Sequence, residues 1–166
     1  SSSGMIALDG AVLQMISHGV VTGVLFLLVG ALQDRTQTRD IAEMSGLLKA
    51  YPILGWLFIV AAFASLGLPG LAHFPAEFQI FLGGFDVYPV AVGIIIIGLP
   101  LTAALYLRAI QKVFLGTLPE QFIGVPDLNR RELWAILPLI AATVIIGVYP
   151  NSLLSLIHAT TNFFGL

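Results

Sequence analysis

Cysteine is absent from the sequence, and charged residues are scarce. Without thiols the chain cannot form disulfides, thiolate metal sites or a cysteine nucleophile. Only 10% of the 166 residues are charged, whereas soluble domains carry about 25%. The net charge is −2, and no basic patch points to a nucleic-acid partner. So little charge cannot cover a water-exposed surface, which excludes an ordinary soluble protein.

Apolar residues dominate what is present. They make up 58% of the chain, and the mean hydropathy is +0.98. Strands of membrane β-barrels alternate apolar and polar residues, but the apolar runs at 24–30 and 90–101 are continuous. The sequence therefore predicts an all-α integral membrane protein.

Four membrane spans are predicted, because about 20 apolar residues cross a 30 Å hydrocarbon core. They are residues 11–32, 52–82, 88–108 and 132–150. Together they form one transmembrane bundle over 11–150. Residues 1–10, which begin with SSSG, are interpreted as a linker or a residual N-terminal segment, and no secretory signal is predicted there. Residues 151–166 are interpreted as a short C-terminal tail.

The basic residues predict the orientation of these spans. All seven lie in or beside two connections: Arg35, Arg39 and Lys49 in the first, and Arg108, Lys112, Arg130 and Arg131 around the third. With four spans, these two connections are on the same side of the membrane, and the positive-inside rule makes that side cytoplasmic. The N-terminus, the 83–88 turn and the C-terminal tail are then on the opposite side.

The second predicted span is too long for one straight helix. Its 31 residues would extend about 46 Å at 1.5 Å per residue. Pro69 lacks an N–H, Gly70 adds flexibility, and Pro75 follows within two turns. We predict a helix broken at Pro69-Gly70, an arrangement that marks ion sites in transporters. The alternative is a simple proline kink with a packing role.

Glu77 is the acidic residue that lies deepest in a predicted span. A charged side chain at the bilayer centre costs about 2.5–3.5 kcal/mol, so such residues face protein or a water-filled cavity. A carboxyl group in that position can bind and release a proton. The alternative is that Glu77 extends to the nearby membrane surface.

Two histidines lie where a proton path to Glu77 could run. His73 precedes Glu77 by four residues and shares its helix face; the pair could form a relay, a structural hydrogen bond or two ligands of a metal, although no third ligand is near. Gln14, His18 and Thr22 form a polar stripe on the first span. The predicted path runs from His18 through His73 to Glu77. Plain hydrogen bonding between helices is the alternative for the stripe.

No other chemistry is indicated. The sequence contains no glycine-rich phosphate loop, no Ser/His/Asp set and no cluster of metal-ligating residues. We therefore predict no cofactor, no metal site and no redox centre in this chain.

Three blocks of the sequence resemble a known membrane family. They are LQMISHGVVTGVLFLLVGALQDRTQTRDIAEMSGL, LGLPGLAHFPAEFQIFLGGF and PDLNRRELWAILPLIAATVIIGVYP. In this order they resemble the C-terminal part of the antiporter-like membrane subunit (NuoM/NdhD type, or chain 4) of respiratory complex I and of photosynthetic NAD(P)H dehydrogenase-like complexes. The resemblance covers nearly the whole chain after its first few residues.

The resemblance implies a fold, a role and partners. Such subunits have two inverted repeats, each with a broken helix, and this chain would supply only the end of the second repeat and the final helix of a larger subunit. Protons move through buried Lys, Glu and His residues, driven by quinone reduction elsewhere in the complex. The implied partners are other membrane-arm subunits, lipid, and quinone bound elsewhere. Glu77 would be the broken-helix glutamate, and His18 the histidine of the preceding helix.

Some residues depart from the family pattern. The family usually has a small or amide residue where His73 stands, and rarely a proline where Pro75 stands. Gln37 in DRTQTRD replaces a histidine found in many members. These departures leave the proton site in place and leave the subtype open, including a carbon-dioxide-uptake form.

The leading hypothesis is a non-redox, proton-translocating subunit of a complex I-like NAD(P)H- or ferredoxin:quinone oxidoreductase. Its location would be a bacterial inner or thylakoid-type membrane. One alternative is a subunit of a multisubunit cation/proton antiporter or a membrane-bound hydrogenase, and another is a scaffold without transport. The partner subunits discriminate between these classes.

Overall fold

Helices account for every regular element over residues 2–163, the part of the chain that the computed structural model describes. The α-helices are α1 (Ser2–Thr36), α2 (Leu47–Ala50), α3 (Pro52–Ser65), α4 (His73–Val87), α5 (Pro89–Val113), α6 (Arg130–Val148) and α7 (Asn151–Phe163). Short 3-10 turns at Ile41–Glu43 and Glu120–Phe122 lie in the two long connections. The all-α class predicted from composition is confirmed.

Three of the helices are long and apolar enough to cross a membrane. They are α1, α5 and α6, with 35, 25 and 19 residues. The predicted spans 11–32, 88–108 and 132–150 overlap these helices, with ends displaced by a few residues. The predicted span 52–82 corresponds to α3 and α4 with an irregular segment, 66–72, between them. The expected turn at 83–88 is shorter, because α4 continues to Val87.

Residues 2–10 are helical. They form the first turns of α1, because their apolar and small side chains pack against another helix. Gly83 of α4 lies against the backbone of Ser3 and Ala7, and the Ser3 hydroxyl donates a 2.8 Å hydrogen bond to the Asp86 carboxylate. Residues 151–163 likewise form a regular helix, α7, with Ile157 buried.

α1 and α4 form the closest helix pair and run antiparallel. Gly83 contacts the start of α1, Gly10 lies against the backbone of Ala76 and Ile80, and Ser17 contacts Ala72 at the start of α4. Small residues at such contacts let two helix backbones approach closely. This pairing places the residues of α1 beside defined residues of α4, which matters for the site below.

Glycine is required at 83, and we expect Gly83→Ala to destabilise the protein. The added methyl would lie closer to the Ser3 carbonyl and the Ala7 nitrogen than van der Waals contact allows. Overpacking of this kind costs about 1–3 kcal/mol. Thermal unfolding in detergent measures the effect. Gly19→Ala is the matched control, because nothing lies within 4 Å of its added methyl and alanine favours helix. Equal melting temperatures for the two variants would contradict the close contact.

Arg35 joins the end of α1 to the start of α6. Its guanidinium makes a bidentate ion pair with Glu132, at 2.9 and 2.7 Å, and donates to the carbonyls of Pro126 and Asp127 at 3.0 and 2.9 Å. The Asp127 carboxylate accepts a 2.7 Å hydrogen bond from the Ile53 amide and so caps α3. One cation thereby holds the ends of three helices at the same end of the bundle.

We expect Arg35→Ala to lower the free energy of unfolding. Breaking a buried ion pair costs about 3–5 kcal/mol. The expected loss of unfolding free energy is smaller here, about 2–3 kcal/mol, because the Glu132 side chain is 23% exposed. Chemical or thermal unfolding of the purified protein tests this, with the exposed Arg131→Ala as control. If both variants lose the same small amount, Arg35 does not hold the helix ends.

Candidate functional site

The segment between α3 and α4 is irregular but packed. Gly67 and Gly70 adopt left-handed backbone conformations, with φ of +67° and +89°, which favour glycine. The Ser17 hydroxyl of α1 donates a 2.9 Å hydrogen bond to the Ala72 carbonyl. Gly147 of α6 lies directly against the backbone of Gly70 and Leu71. Neighbouring helices therefore contact this segment and pair part of its freed backbone, whereas Leu68 and Pro69 are exposed.

His73 connects the two sides of this segment. It is 3% exposed, and its Nδ1 lies 3.2 Å from the Ser65 carbonyl at the end of α3. A carbonyl only accepts, so Nδ1 carries the hydrogen in this contact. The same nitrogen is 3.9 Å from Glu77 Oε1. The other ring nitrogen, Nε2, is buried and has no hydrogen-bond partner among the described residues.

Glu77 lies on the inner side of α4. Its carboxylate packs directly against Gly67 and faces the Gln14 side chain of α1. Its side chain is 20% exposed, so it lies mainly within the helix bundle. A side chain at position 67 would occupy the space that the carboxylate takes, which explains glycine there beyond its φ angle.

His18 lies beside His73. The two imidazole rings stack with centroids 5.9 Å apart and planes inclined by 21°. His18 is exposed on the outside of α1, whereas His73 is buried. The polar stripe is thus divided: Gln14 reaches Glu77, His18 reaches His73, and Thr22 donates to the His18 carbonyl of its own helix.

The structure brings His18, His73 and Glu77 into one continuous row. Pro69 and Gly70 lie in the segment beside this row, and Pro75 lies within α4 between the two titratable residues of that helix. Over residues 2–163 no group of three or more His, Cys, Asp or Glu side chains is arranged to hold a metal ion. The row offers two imidazoles and one carboxyl, which are groups suited to proton exchange.

Two hydroxyl residues of the site were not predicted. Ser65 Oγ and the Tyr106 hydroxyl of α5 lie 3.0 Å apart, and the Ser65 carbonyl contacts His73. Tyr106 thereby ties α5 to the end of α3. The sequence does carry a signal for this contact, because the hydroxyl of a tyrosine within an apolar span usually has a hydrogen-bond partner.

We expect Gly67→Ala to displace the Glu77 carboxylate. Both Gly67→Ala and Gly70→Ala introduce about 1–2 kcal/mol of left-handed strain, but only the former meets the carboxylate, since nothing lies within 4 Å of a methyl at position 70. Labelling of Glu77 by a water-soluble carbodiimide should become several-fold faster in Gly67→Ala. Mass spectrometry of the modified peptide measures the rate, and equal rates in the two variants would count against the contact.

These features define an all-helical integral membrane protein of the antiporter-like type. The chain belongs to the NADH:quinone oxidoreductase/Mrp antiporter transmembrane family, which matches residues 1–103. The resemblance seen in the three sequence blocks is confirmed.

Relatives of known family align with most of this chain. It is 36% identical over 152 residues to NADH-ubiquinone oxidoreductase chain 4 of Chondrus crispus, which is 91% of this chain and 31% of that protein. It is 39% identical over 150 residues to NADH-quinone oxidoreductase subunit M of Mycobacterium tuberculosis strain H37Rv, which is 90% of this chain and 27% of that protein. The chain thus spans less than a third of the length of these relatives.

Solved structures share the fold. A chain of respiratory complex I from Thermus thermophilus superposes with a TM-score of 0.85 at 34% identity, over 95% of this chain and 34% of that one. A chain of the Mrp complex from Dietzia sp. superposes with a TM-score of 0.78 at 22% identity, over 95% of this chain and 38% of that one. The second similarity concerns the fold alone.

Proposed function

We propose that this chain is the C-terminal part of a proton-translocating membrane-arm subunit of a complex I-like NAD(P)H- or ferredoxin:quinone oxidoreductase. The family match and the relatives named as chain 4 and subunit M support this proposal. The chain would carry no redox centre. Quinone would bind elsewhere in the complex, and other membrane-arm subunits and lipid would surround this chain.

In this proposal α3 and α4 form a single broken span. With 14 and 15 residues they are about 21 and 23 Å long, so neither alone crosses a core of about 30 Å. Taken together with α1, α5 and α6 they make four spans. The irregular segment then lies inside the membrane, where protein contacts must satisfy its backbone, and Ser17 and Gly147 supply such contacts.

The proposed orientation puts the basic connections in the cytoplasm. Contacts between these two connections support it. The Gly46 amide donates to the Leu115 carbonyl at 3.1 Å, and Arg35 pairs with Glu132. Both connections therefore lie at the same end of the bundle. The opposite end, with the start of α1, would face the other side of the membrane.

The observation that carries the proton-relay proposal is the position of His73. Its ring stacks on His18 and lies 3.9 Å from Glu77. In this proposal a proton passes from His18 on α1 to His73, which hands it on to the Glu77 carboxyl. Each transfer requires a bridging water or a rotation of the ring, because proton transfer works at hydrogen-bond reach or through one water.

Glu77→Gln tests this proposal in the complete complex. Glutamine keeps the shape and can still accept from Gln14, but it cannot take up a proton. We expect assembly and quinone reduction to persist while the protons moved per electron fall sharply, since loss of a proton-transfer group costs about 10²-fold or more in rate. The measurement is the proton-to-electron ratio of sealed vesicles.

Glu43→Gln is the matched control, because Glu43 is exposed in the first connection. It should leave the ratio unchanged. A normal ratio in Glu77→Gln would overturn the proposed role of this residue.

A second candidate is a subunit of a multisubunit cation/proton antiporter. The family includes Mrp antiporter members, and the Dietzia Mrp complex contains a chain of the same fold. The same row of His18, His73 and Glu77 would then exchange protons against cations. Native gel electrophoresis of mildly solubilised membranes, followed by mass spectrometry, separates the two: quinone-reducing subunits comigrate in one case, and small antiporter subunits in the other.

A further inference from the structure

We propose that Asp9, His158 and Thr161 form a second proton-exchange site, at the end of the bundle opposite the basic connections. The inference rests on the function proposed above, and it adds the point where a proton passes between the buried row and the aqueous phase at that end. Neither α7 nor the start of α1 was assigned a role by the sequence analysis.

The geometry of the three residues is well defined. Asp9 on α1 is 6% exposed. One of its carboxylate oxygens, Oδ2, lies 2.7 Å from Nδ1 of His158, and the other, Oδ1, accepts a 2.8 Å hydrogen bond from the Thr161 hydroxyl. Both oxygens are therefore paired with α7, through residues that follow Asp9 by 149 and 152 positions.

Docking of α7 does not need this polar cluster. Ile157 is buried, and Leu153 and Leu154 pack with it against Leu13 of α1 and Ala76 of α4. An apolar residue at position 9 would fit such a surface at no desolvation cost. A carboxylate buried in an apolar bundle costs free energy unless it is paired, so its presence there indicates a role beyond packing.

The site lies about one and a half helical turns from Glu77. Gln14 of α1 contacts Glu77, and Asp9 lies five residues before Gln14, a rise of about 7.5 Å. Because α1 and α4 are antiparallel, this displacement leads away from His73 toward the end of α4. Asp9 therefore lies nearer the end of the bundle than Glu77, on a face of α1 turned by about 140° from Gln14.

The exposure of the pair suits exchange with water. The side chain of His158 is 55% exposed, whereas that of Asp9 is 9% exposed. Imidazole takes up and releases protons near neutral pH. In this proposal His158 passes the proton to water, and the Thr161 hydroxyl holds the Asp9 carboxylate in place.

Few other titratable groups face this site. On α4 they are Glu77 and, near the helix end, Asp86, which accepts from Ser3. Along α6 the charged residues lie at the far end, at Arg130, Arg131 and Glu132, and Tyr149 follows its last turn. On α7, within the described residues, His158 is the titratable side chain. His158 and Asp9 are the pair at this end that joins a buried carboxylate to an exposed imidazole.

The test measures proton translocation in sealed vesicles that contain the complete complex. We expect His158→Gln and Asp9→Asn each to lower the rate of proton translocation about 10²-fold or more, the range for loss of an acid–base group. Thr161→Val and Thr160→Val form a matched test and control. The former removes a hydrogen bond to Asp9 and should lower the rate. The latter removes only a bond to the Leu156 carbonyl of the same helix and should not.

His158→Gln separates proton exchange from structure. Glutamine keeps an N–H that can donate to Asp9 but cannot carry a proton, so normal translocation in this variant would overturn the inference. Hydrogen–deuterium exchange over residues 151–163 shows whether α7 remains docked. If Asp9→Asn releases α7, the rate of proton translocation in His158→Gln alone decides whether the second site stands.

Glu77→Gln measured in the same vesicles distinguishes the two proposals. If Glu77→Gln stops translocation while His158→Gln and Asp9→Asn behave normally, only the second site is wrong. If Glu77→Gln also behaves normally, the proton-relay function fails, and the second site fails with it.

Discussion

The central constraint on this structure is the interruption between α3 and α4 within an apolar bundle. Backbone amides and carbonyls that lose their helical partners have no water to replace them in a hydrocarbon environment, so protein must supply the partners. The contacts here are specific: the Ser17 hydroxyl binds the Ala72 carbonyl, and the His73 ring binds the Ser65 carbonyl. The side chains around the interruption therefore act first as hydrogen-bond partners of the backbone. This requirement places titratable groups in a buried position.

Close packing of glycine determines which side chains meet. Gly10 and Gly83 let α1 and α4 approach at backbone distance, and the resulting alignment sets Gln14 beside Glu77 and Ser17 beside Ala72. Larger residues at the two glycines would separate the helices and break these contacts together. The geometry of the candidate site therefore depends on positions that carry no functional group at all.

Much of this arrangement follows from local sequence signals, and some of it does not. Apolar run length locates α1, α5 and α6, and a four-residue spacing places His73 and Glu77 on one face of α4. The packing of residues 2–10 and of α7 was not predicted, because it depends on distant parts of the chain: Ser3 and Ala7 meet α4, and Asp9 meets α7. Local composition carries no information about such distant partners. The Tyr106–Ser65 contact has the same origin, since it depends on how α5 packs beside α3.

The polar groups are arranged along α1 at three levels, and each level pairs α1 with a different helix. Arg35 meets Glu132 of α6 at one end, Gln14, Ser17 and His18 meet α4 and the segment before it in the middle, and Asp9 meets α7 at the other end. In an apolar bundle each unpaired polar group is costly. A shift of α1 by one turn would unpair all three levels at once and would also move Gly10 out of its close contact with α4. The polar pairs and the glycine contacts together therefore determine the register of α1, and with it the alignment of the two histidines and the glutamate.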